Sequence, residues 1–117
     1  MAREKVFICS PFRAATHDEV LVNERLAKAL CRQAFDLGKD PRAPHLFYTR
    51  FLEEETHGED GRALALSWLR ECDRLWRCQD VSVSAGMQAE LDLANGLGIP
   101  VDIVSIDGHM VYHPSRF

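Results

Sequence analysis

The stretch SAGMQAELDLANGLG, residues 84–98, decides how this chain folds. It predicts a turn containing Gly86 that opens directly into a helix, and the helix ends at Gly98. On a helical wheel of about 100° per residue, Glu90 falls near the middle of the apolar arc. That arc is formed by Leu91, Leu93, Ala94 and Leu97. The helix is therefore expected to pack on a core with one carboxylate facing inward.

Glu90 and the start of this helix admit two interpretations. A carboxylate that faces a core must be hydrogen-bonded, paired, neutralised or placed where a ligand arrives. The helix N-terminus, with Ser84 and Gly86, offers backbone N–H groups and the positive end of the helix dipole to an anion. Together these features indicate a phosphorylated or sugar-bearing ligand. The alternative is a structural glutamate at the mouth of the core that caps a neighbouring element.

The composition limits the class of protein. The 117 residues, 46% hydrophobic and 27% charged, predict a single globular domain over residues 1–117. A net charge of −4 argues against a surface for nucleic acid polymers, although a local arginine can hold a single nucleotide. No apolar run has the length of a signal peptide or a membrane span, so we expect a cytoplasmic protein without a membrane partner.

The cysteines and histidines predict neither disulfides nor a metal site. The four cysteines lie in apolar contexts without a CxxC pair, which is typical of reduced thiols in a core. The five histidines are scattered, and no pair has the helical spacing of metal ligands beside an acid. We therefore expect no metal and no cofactor.

Strand and helix patterns alternate three times, which predicts a doubly wound α/β sheet of order 2-1-3-4. The parallel strands are expected at residues 6–9, within 39–46, at 74–78 and at 101–106. A first helix should begin at the capping box of Thr16 and Glu19 and end at Gly38. A second should span 62–72, after a long binding-type loop over 47–61. Asp107-Gly108 then predicts a turn into a C-terminal edge hairpin strand.

The predicted topology places a crevice beside Glu90. In doubly wound sheets, ligands bind beyond the carboxyl ends of the strands, where the strand order reverses. Here the loop 10–13 after the first strand should face the loop 80–86 after the third, and Glu90 should point between them. His45 should reach the same edge from the end of the second strand. Asp73 begins the third strand, so it should lie at the opposite edge and be structural.

Four motifs resemble a known family. They are FICSPFR, APHLFYTRFL, LRECDRLW and the pattern S-x-G-M-x-x-E-L-x-x-A. Nearly the whole chain resembles small bacterial and phage domains of unknown function in the nucleoside 2-deoxyribosyltransferase-like superfamily. That superfamily includes deoxyribosyltransferases and nucleotide N-hydrolases, which split the base from the sugar. The resemblance implies the same α/β fold, a nucleoside or nucleotide as small-molecule partner, and a homodimer.

The resemblance also implies roles for residues on both sides of the crevice. Glu90 matches the glutamate nucleophile that attacks the anomeric carbon. Ser84 and Gly86 match the serine and glycine that hold the 5′-phosphate, and Arg13 matches an arginine of the sugar and base pocket. The expected substrate-binding residues are Ser10, Pro11, Phe12, Arg13, Ser84, Gly86 and Met87.

Two positions depart from the characterised relatives. Phe7 stands where hydrolases have an active-site tyrosine, and Ala65 stands where they have the acid that helps the base leave. The candidates for replacing that acid are His45, Asp80 and Glu55, since each can lie near the C-terminal edge of the sheet. The expected catalytic residues are therefore Glu90, His45 and Asp80.

The combined expectation is an N-glycoside hydrolase or transferase that acts on a nucleoside or nucleoside 5′-monophosphate through a glutamate nucleophile. A non-catalytic nucleotide-binding module of the same fold is the alternative, and Ala65 favours it. A third possibility is a structural or partner-binding domain, which the negative charge and the acidic loop support.

Overall fold

A computed structural model describes residues 2–12, 14–106 and 110–112, with the backbone alone for 54, 55 and 110–112. The strands are β1 Lys5–Cys9, β2 Asp40–Arg42, β3 Arg74–Cys78, β4 Val101–Val104 and β5 Met110–Tyr112. The helices are α1 His17–Asp36, α2 Pro44–Tyr48, α3 Glu54–Leu69 and α4 Ala85–Leu97. None of the helices in these ranges combines the length and apolar character needed to cross a membrane.

The strands form one sheet of order β2-β1-β3-β4-β5. The first four are parallel and β5 runs antiparallel to β4, which confirms the predicted order 2-1-3-4 with an edge return strand. The predicted turn at Asp107-Gly108 lies outside the described residues. The strand order reverses between β1 and β3, where Cys9 is the register partner of Arg77. Both strands therefore end at the same edge, where doubly wound sheets bind ligands.

Two apolar layers sandwich the sheet, because alternate residues of a strand face opposite sides. Val6, Ile8 and Trp76 pack against α1 on one side. Phe7 and Cys9 face the other side, together with Leu75, and pack against residues of α3 and α4. Helix α4 contacts both β1 and β4, and the thiol of Cys9, the last residue of β1, lies 3.7 Å from the carbonyl oxygen of Met87 in the first turn of α4.

The predicted start of the first helix is confirmed. The side-chain oxygen of Thr16 accepts a hydrogen bond from the backbone N–H of Glu19 at 3.2 Å. The Glu19 carboxylate accepts in turn from the backbone N–H of Ala15 at 3.1 Å. The chain leaves this helix at Gly38, whose φ of 82° is the left-handed conformation that favours glycine.

The segment 47–61 is not the predicted long loop. Pro44 starts the short helix α2, a position at which its fixed φ suits a helix. Helix α3 already begins at Glu54 and runs through a kink at His57, whose φ of −129° and ψ of 17° are not helical. The acidic run at residues 53–55 is compatible with this helix start, because acidic residues favour the first turn of a helix, where they complement its dipole. Helix α3 ends at Leu69, three residues before the predicted end at 72.

Helices α2 and α3 are joined by an aromatic cluster. The indole N–H of Trp68 donates to the hydroxyl of Tyr48 at 2.9 Å. The Phe47 ring lies 5.1 Å from that of Tyr48 and 5.9 Å from that of Trp68. These contacts fix the two helices as one wall in front of the carboxyl edge of the sheet.

Candidate functional site

A cavity of about 540 Å³ opens at the carboxyl edge of the sheet. Four segments line it: the residues just after β1, helix α2, the first half of α3 and the first turns of α4. Its size lies within the roughly 300–1,000 Å³ of typical small-molecule sites. The crevice expected between the residues after β1 and the start of α4 is therefore present, and helices α2 and α3 close it on the far side.

The start of α4 forms one wall of the cavity. Ser84 is the N-cap residue, and its hydroxyl oxygen accepts a hydrogen bond from the backbone N–H of Met87 at 3.2 Å. The first N–H groups of a helix have no partner within the helix, so this wall presents donors and the positive end of a dipole. At Gly86 the absence of a side chain leaves space, since the nearest atom to a Cβ there would be Ser84 Oγ at 4.0 Å. This wall has the chemistry of an anion site.

Glu90 lies one turn further along the same wall. It lines the cavity and is partly buried. Burial raises the pKa of its carboxyl group to about 7, while a hydrogen bond from the Cys9 thiol opposes that rise. Near neutral pH the carboxylate is therefore present in both its ionised and its protonated form, as suits a group that takes part in acid–base or nucleophilic chemistry.

His45 lies in α2 and not at the end of a strand. Its Nε2 atom is 3.4 Å from Ser10 Oγ, and its ring centroid is 6.0 Å from that of Phe12. Burial lowers the pKa of His45 to about 4, so the imidazole is neutral at pH 7. His45 can exchange hydrogen bonds with a ligand, but few molecules carry the imidazolium form that a general acid requires.

The cavity brings together most of the expected site residues. Those that line it are Ser10, Phe12, His45, Ser84, Gly86, Met87 and Glu90. Pro11 is not among the lining residues. Arg13 lies outside the described residues, and so does the side chain of Glu55.

The expected placement of Asp80 requires a correction. Its carboxylate accepts a hydrogen bond from the backbone N–H of Ile106 at 2.6 Å, and it does not line the cavity. Asp80 lies two residues beyond β3, and its side chain turns towards the end of β4. It therefore joins two strand ends outside the cavity.

The opposite edge of the sheet holds Asp73. This carboxylate accepts a hydrogen bond from the backbone N–H of Lys5 at 2.8 Å, at the amino ends of β1 and β3. Asp73 is not among the cavity residues, as its position at the start of β3 predicted. Ala65 does line the cavity, so α3 presents a methyl group there and no acid.

Polar residues at and near the start of α3 also line the cavity, and the sequence motifs did not indicate them. Glu53, His57 and Arg62 line the cavity from the start of this helix, and Tyr48 lines it from α2. They were missed because the segment was predicted to be a loop, which gave their side chains no direction. A predicted helix start at the acidic residues 53–55 would have revealed them. It puts Glu53 and His57 on one face, since residues four apart are neighbours on a helix.

The cysteines and histidines form no metal site in the part of the chain that the structure describes. Cys9, Cys31, Cys72 and Cys78 are free thiols. Burial is the largest cause that raises the pKa of each of them, as expected of reduced thiols in a core.

The model of a family described as a domain of unknown function, DUF7768, matches residues 4–104. The chain belongs to the DUF7768 family. No curated protein matches it at a significant level. The match covers all four parallel strands and the whole wall of α4, so the cavity is part of the DUF7768 domain.

Two solved structures are similar to this DUF7768 chain. One is the 2-deoxyribosyltransferase of Bacillus psychrosaccharolyticus, with 24% identity over 92% of this chain and 77% of that one, and a TM-score of 0.60. The other is the CMP N-glycosidase BcmB of Clostridium botulinum, with 17% identity and a TM-score of 0.54. The match covers 87% of this chain and 71% of that one. These similarities show that the α/β fold is shared.

Proposed function

We propose that this protein cleaves or transfers the N-glycosidic bond of a nucleoside or nucleoside 5′-monophosphate, with Glu90 as the nucleophile. The observation that carries the proposal is the position of Glu90. Its carboxylate borders a cavity of ligand size, one turn from a helix N-terminus that suits a phosphate. The two similar structures belong to a 2-deoxyribosyltransferase and a CMP N-glycosidase, which supports this class of substrate.

The phosphate of a nucleotide would bind at the start of α4. The backbone N–H groups there, the Ser84 hydroxyl and the space above Gly86 form the proposed phosphate subsite. Arg62 lines the same cavity from α3 and adds positive charge to it. The sugar would then lie between this subsite and Glu90, which places its anomeric carbon near the carboxylate.

Glu90 would act in its ionised form. One carboxylate oxygen forms a bond to the anomeric carbon, and the bond from that carbon to the base nitrogen breaks as the base takes the electron pair. In hydrolysis, water then attacks the glycosyl ester and regenerates the carboxylate. In a transfer reaction, a second base attacks the ester in place of water. A pKa of about 7 leaves roughly half of the molecules ready for attack at neutral pH.

The departing base needs a proton, and the source of that proton is part of the proposal. His45 is neutral at pH 7, so it would hydrogen-bond the base without supplying a full proton. Glu53 and His57 line the cavity and are exposed, so they can exchange protons with solvent. Among the described residues, we propose these two as proton donors to the base, since Ala65 carries no acid.

A second candidate function is nucleotide binding without catalysis. The observation that favours it is Ala65, which presents a methyl group to the cavity and no acid. The two functions share the phosphate subsite and differ in whether Glu90 forms a bond to the substrate. They are separated by asking whether a bound ligand is also cleaved.

The experiment is a panel of nucleosides and their 5′-monophosphates, first by thermal shift and then by chromatography for released base. A ligand at one hundred times its Kd should stabilise the protein by about 2.7 kcal/mol. Stabilisation with release of base supports the glycosidase, and stabilisation without release supports the binding module. If no member of the panel stabilises the protein or releases base, both proposals fail.

We also propose that the protein is a homodimer. Phe47 of α2 and Phe51 in the turn after it are 47% and 60% exposed, and their ring centroids lie 5.4 Å apart. Aromatic side chains of this kind are enriched at protein interfaces. Sedimentation equilibrium should give a dimer, and Phe51→Ser should shift it towards the monomer; a monomeric wild type would contradict this.

A further inference from the structure

Tyr48 is the last residue of the short helix α2, and it lines the cavity. Its side chain is half-buried, and its hydroxyl oxygen lies 2.9 Å from the indole nitrogen of Trp68 in α3. An indole N–H donates and does not accept, so the phenol oxygen is the acceptor of this hydrogen bond. The phenol therefore keeps its own hydrogen for another acceptor.

The phenol hydrogen of Tyr48 has no acceptor among the residues that the structure describes. The rings of Phe47, Phe51 and Trp68 lie around the Tyr48 ring, with centroids 5.1, 6.0 and 5.6 Å away. These rings hold the phenol in place and offer its hydrogen no oxygen atom. Since half-buried polar groups need a partner, water or a ligand in the cavity must accept the hydrogen.

The hydrogen bond from Trp68 brings the Tyr48 hydroxyl towards the part of α3 that carries Ala65. Ala65 precedes Trp68 by three residues, so the two lie on one face of the helix. Ala65 also lines the cavity, where it presents a methyl group. Tyr48 thus offers a hydrogen-bond donor on the side of the cavity where Ala65 offers none.

The proposed binding mode directs the base towards α2. In that mode the phosphate lies at the start of α4, and the sugar lies beside Glu90. Helices α2 and α3 close the other side of the cavity, so the base is the part of the nucleotide that reaches them. His45 precedes Tyr48 by three residues and lines the cavity as well. The imidazole and the phenol can therefore contact the same base.

We propose that the Tyr48 hydroxyl donates a hydrogen bond to the base of the bound nucleotide and stabilises the negative charge that the base gains as the glycosidic bond breaks. The electron pair of that bond goes to the base nitrogen, and the phenol hydrogen stays on its oxygen. Trp68 holds the phenol oxygen and thereby leaves the hydrogen to the ligand. The inference rests on the proposed function for the identity of the ligand and for the bond that breaks.

Affinity measurements on Tyr48→Phe by isothermal titration calorimetry test this contact. The probes are the 5′-monophosphates of adenosine, guanosine, cytidine and uridine, their 2′-deoxy forms, and ribose 5-phosphate, which lacks a base. Nucleotides that bind the wild type should bind Tyr48→Phe about three- to tenfold more weakly, because one hydrogen bond is lost. Ribose 5-phosphate should bind both proteins equally. Unchanged nucleotide affinity, or an equal loss for ribose 5-phosphate, overturns the proposal.

Trp68→Phe provides the matched control. It breaks the same hydrogen bond from the other side and keeps the Tyr48 hydroxyl. Both variants lose a bond between α2 and α3, so both should melt at a lower temperature than the wild type. Nucleotide affinity should fall further in Tyr48→Phe than in Trp68→Phe, because only Tyr48→Phe removes the donor to the base. Equal losses in the two variants would assign the effect to packing of the cavity wall and overturn the proposal.

Base release at saturating nucleotide separates this inference from the proposed function. Tyr48→Phe should lower kcat for release by about tenfold or more, since the donor acts on charge that forms in the transition state. Unchanged kcat and unchanged nucleotide affinity would contradict the role of Tyr48 and leave Glu90 as the proposed nucleophile. A wild type that binds nucleotide and releases no base would contradict the cleavage reaction, and the affinity of Tyr48→Phe would still decide whether Tyr48 contacts the base.

Discussion

The hydroxyl oxygen of Ser84 accepts a hydrogen bond from the backbone N–H of Met87 at 3.2 Å, and both residues line the cavity. Ser84 therefore caps α4 and borders the proposed phosphate subsite at the same time. Replacing it with alanine removes the cap, at a cost of about 1 kcal/mol of stability. A lower melting temperature of the free variant is thus expected whatever the ligand is.

The first prediction compares ligands on Ser84→Ala. The variant should lose more affinity for nucleoside 5′-monophosphates than for the matching nucleosides, because a phosphate loses a hydrogen-bond donor. Isothermal titration calorimetry with both members of each pair measures the difference. Equal losses for nucleosides and nucleotides would contradict the phosphate assignment.

The second prediction uses Gly86→Ala. The added methyl group meets no atom closer than 4.0 Å, so stability should hold or rise by up to about 1 kcal/mol. The same methyl group occupies the space proposed for phosphate, so nucleotide affinity should fall at least tenfold. Gly96→Ala in the same helix is the control, since a Cβ there meets nothing within 4 Å. It should change nucleotide affinity by less than twofold, and similar losses in both variants would argue against the subsite.

The third prediction concerns stability and pH at Glu90. Its pKa in the folded protein is raised to about 7 from an ordinary value of 4.5, so the folded state binds more protons between these values. The contribution of Glu90 to the free energy of unfolding is therefore fully present below pH 4.5 and is lost as the pH rises towards 7. Glu90→Gln should lack that loss, so its free energy of unfolding at pH 8 should exceed that of the wild type by at most about 3 kcal/mol.

Chemical unfolding of both proteins at pH 4.5 and pH 8 measures this difference. Asp92→Asn removes an exposed carboxylate from the same helix and should keep the wild-type dependence on pH. A Glu90→Gln variant that is less stable than the wild type at pH 8 would show that the carboxylate has a structural partner.

The fourth prediction restores an acid at Ala65. This residue lines the cavity, so Ala65→Asp places a carboxyl group at the position where the cavity now has a methyl group. If proton donation to the base limits the reaction, base release should rise by tenfold or more, within the usual contribution of general acids. Ala65→Asn has the same shape without the acid and should show no rise. Equal rates in the two variants would contradict a limiting proton transfer.

Much of the fold follows from local sequence signals. Thr16 with Glu19 fixed the start of α1, and Ser84 with Gly98 fixed both ends of α4, because capping depends on residues close in the chain. The alternation of buried strands and helices then restricted the topology to the order that the structure has. The inward position of Glu90 also followed, since a helical wheel depends on spacing alone.

The remaining parts of the site depend on contacts distant in sequence. Asp80 is two residues from β3, yet its partner is the N–H of Ile106 beyond β4, which no local pattern reveals. The wall of α2 and α3 depends on Trp68 donating to Tyr48 across twenty positions. The lowered pKa of His45 results from its burial, and the residue type alone could not indicate that lowering.

The proposed function requires Glu90 to form the bond to the sugar, so base release by Glu90→Gln is the decisive measurement. The variant keeps the volume of the side chain and removes the nucleophile, while Asp92→Asn controls for the loss of a carboxylate from α4. We expect Glu90→Gln to bind the ligand and to release base at least a thousandfold more slowly than the wild type, and Asp92→Asn to release base at the wild-type rate. Release by Glu90→Gln at the wild-type rate would contradict it.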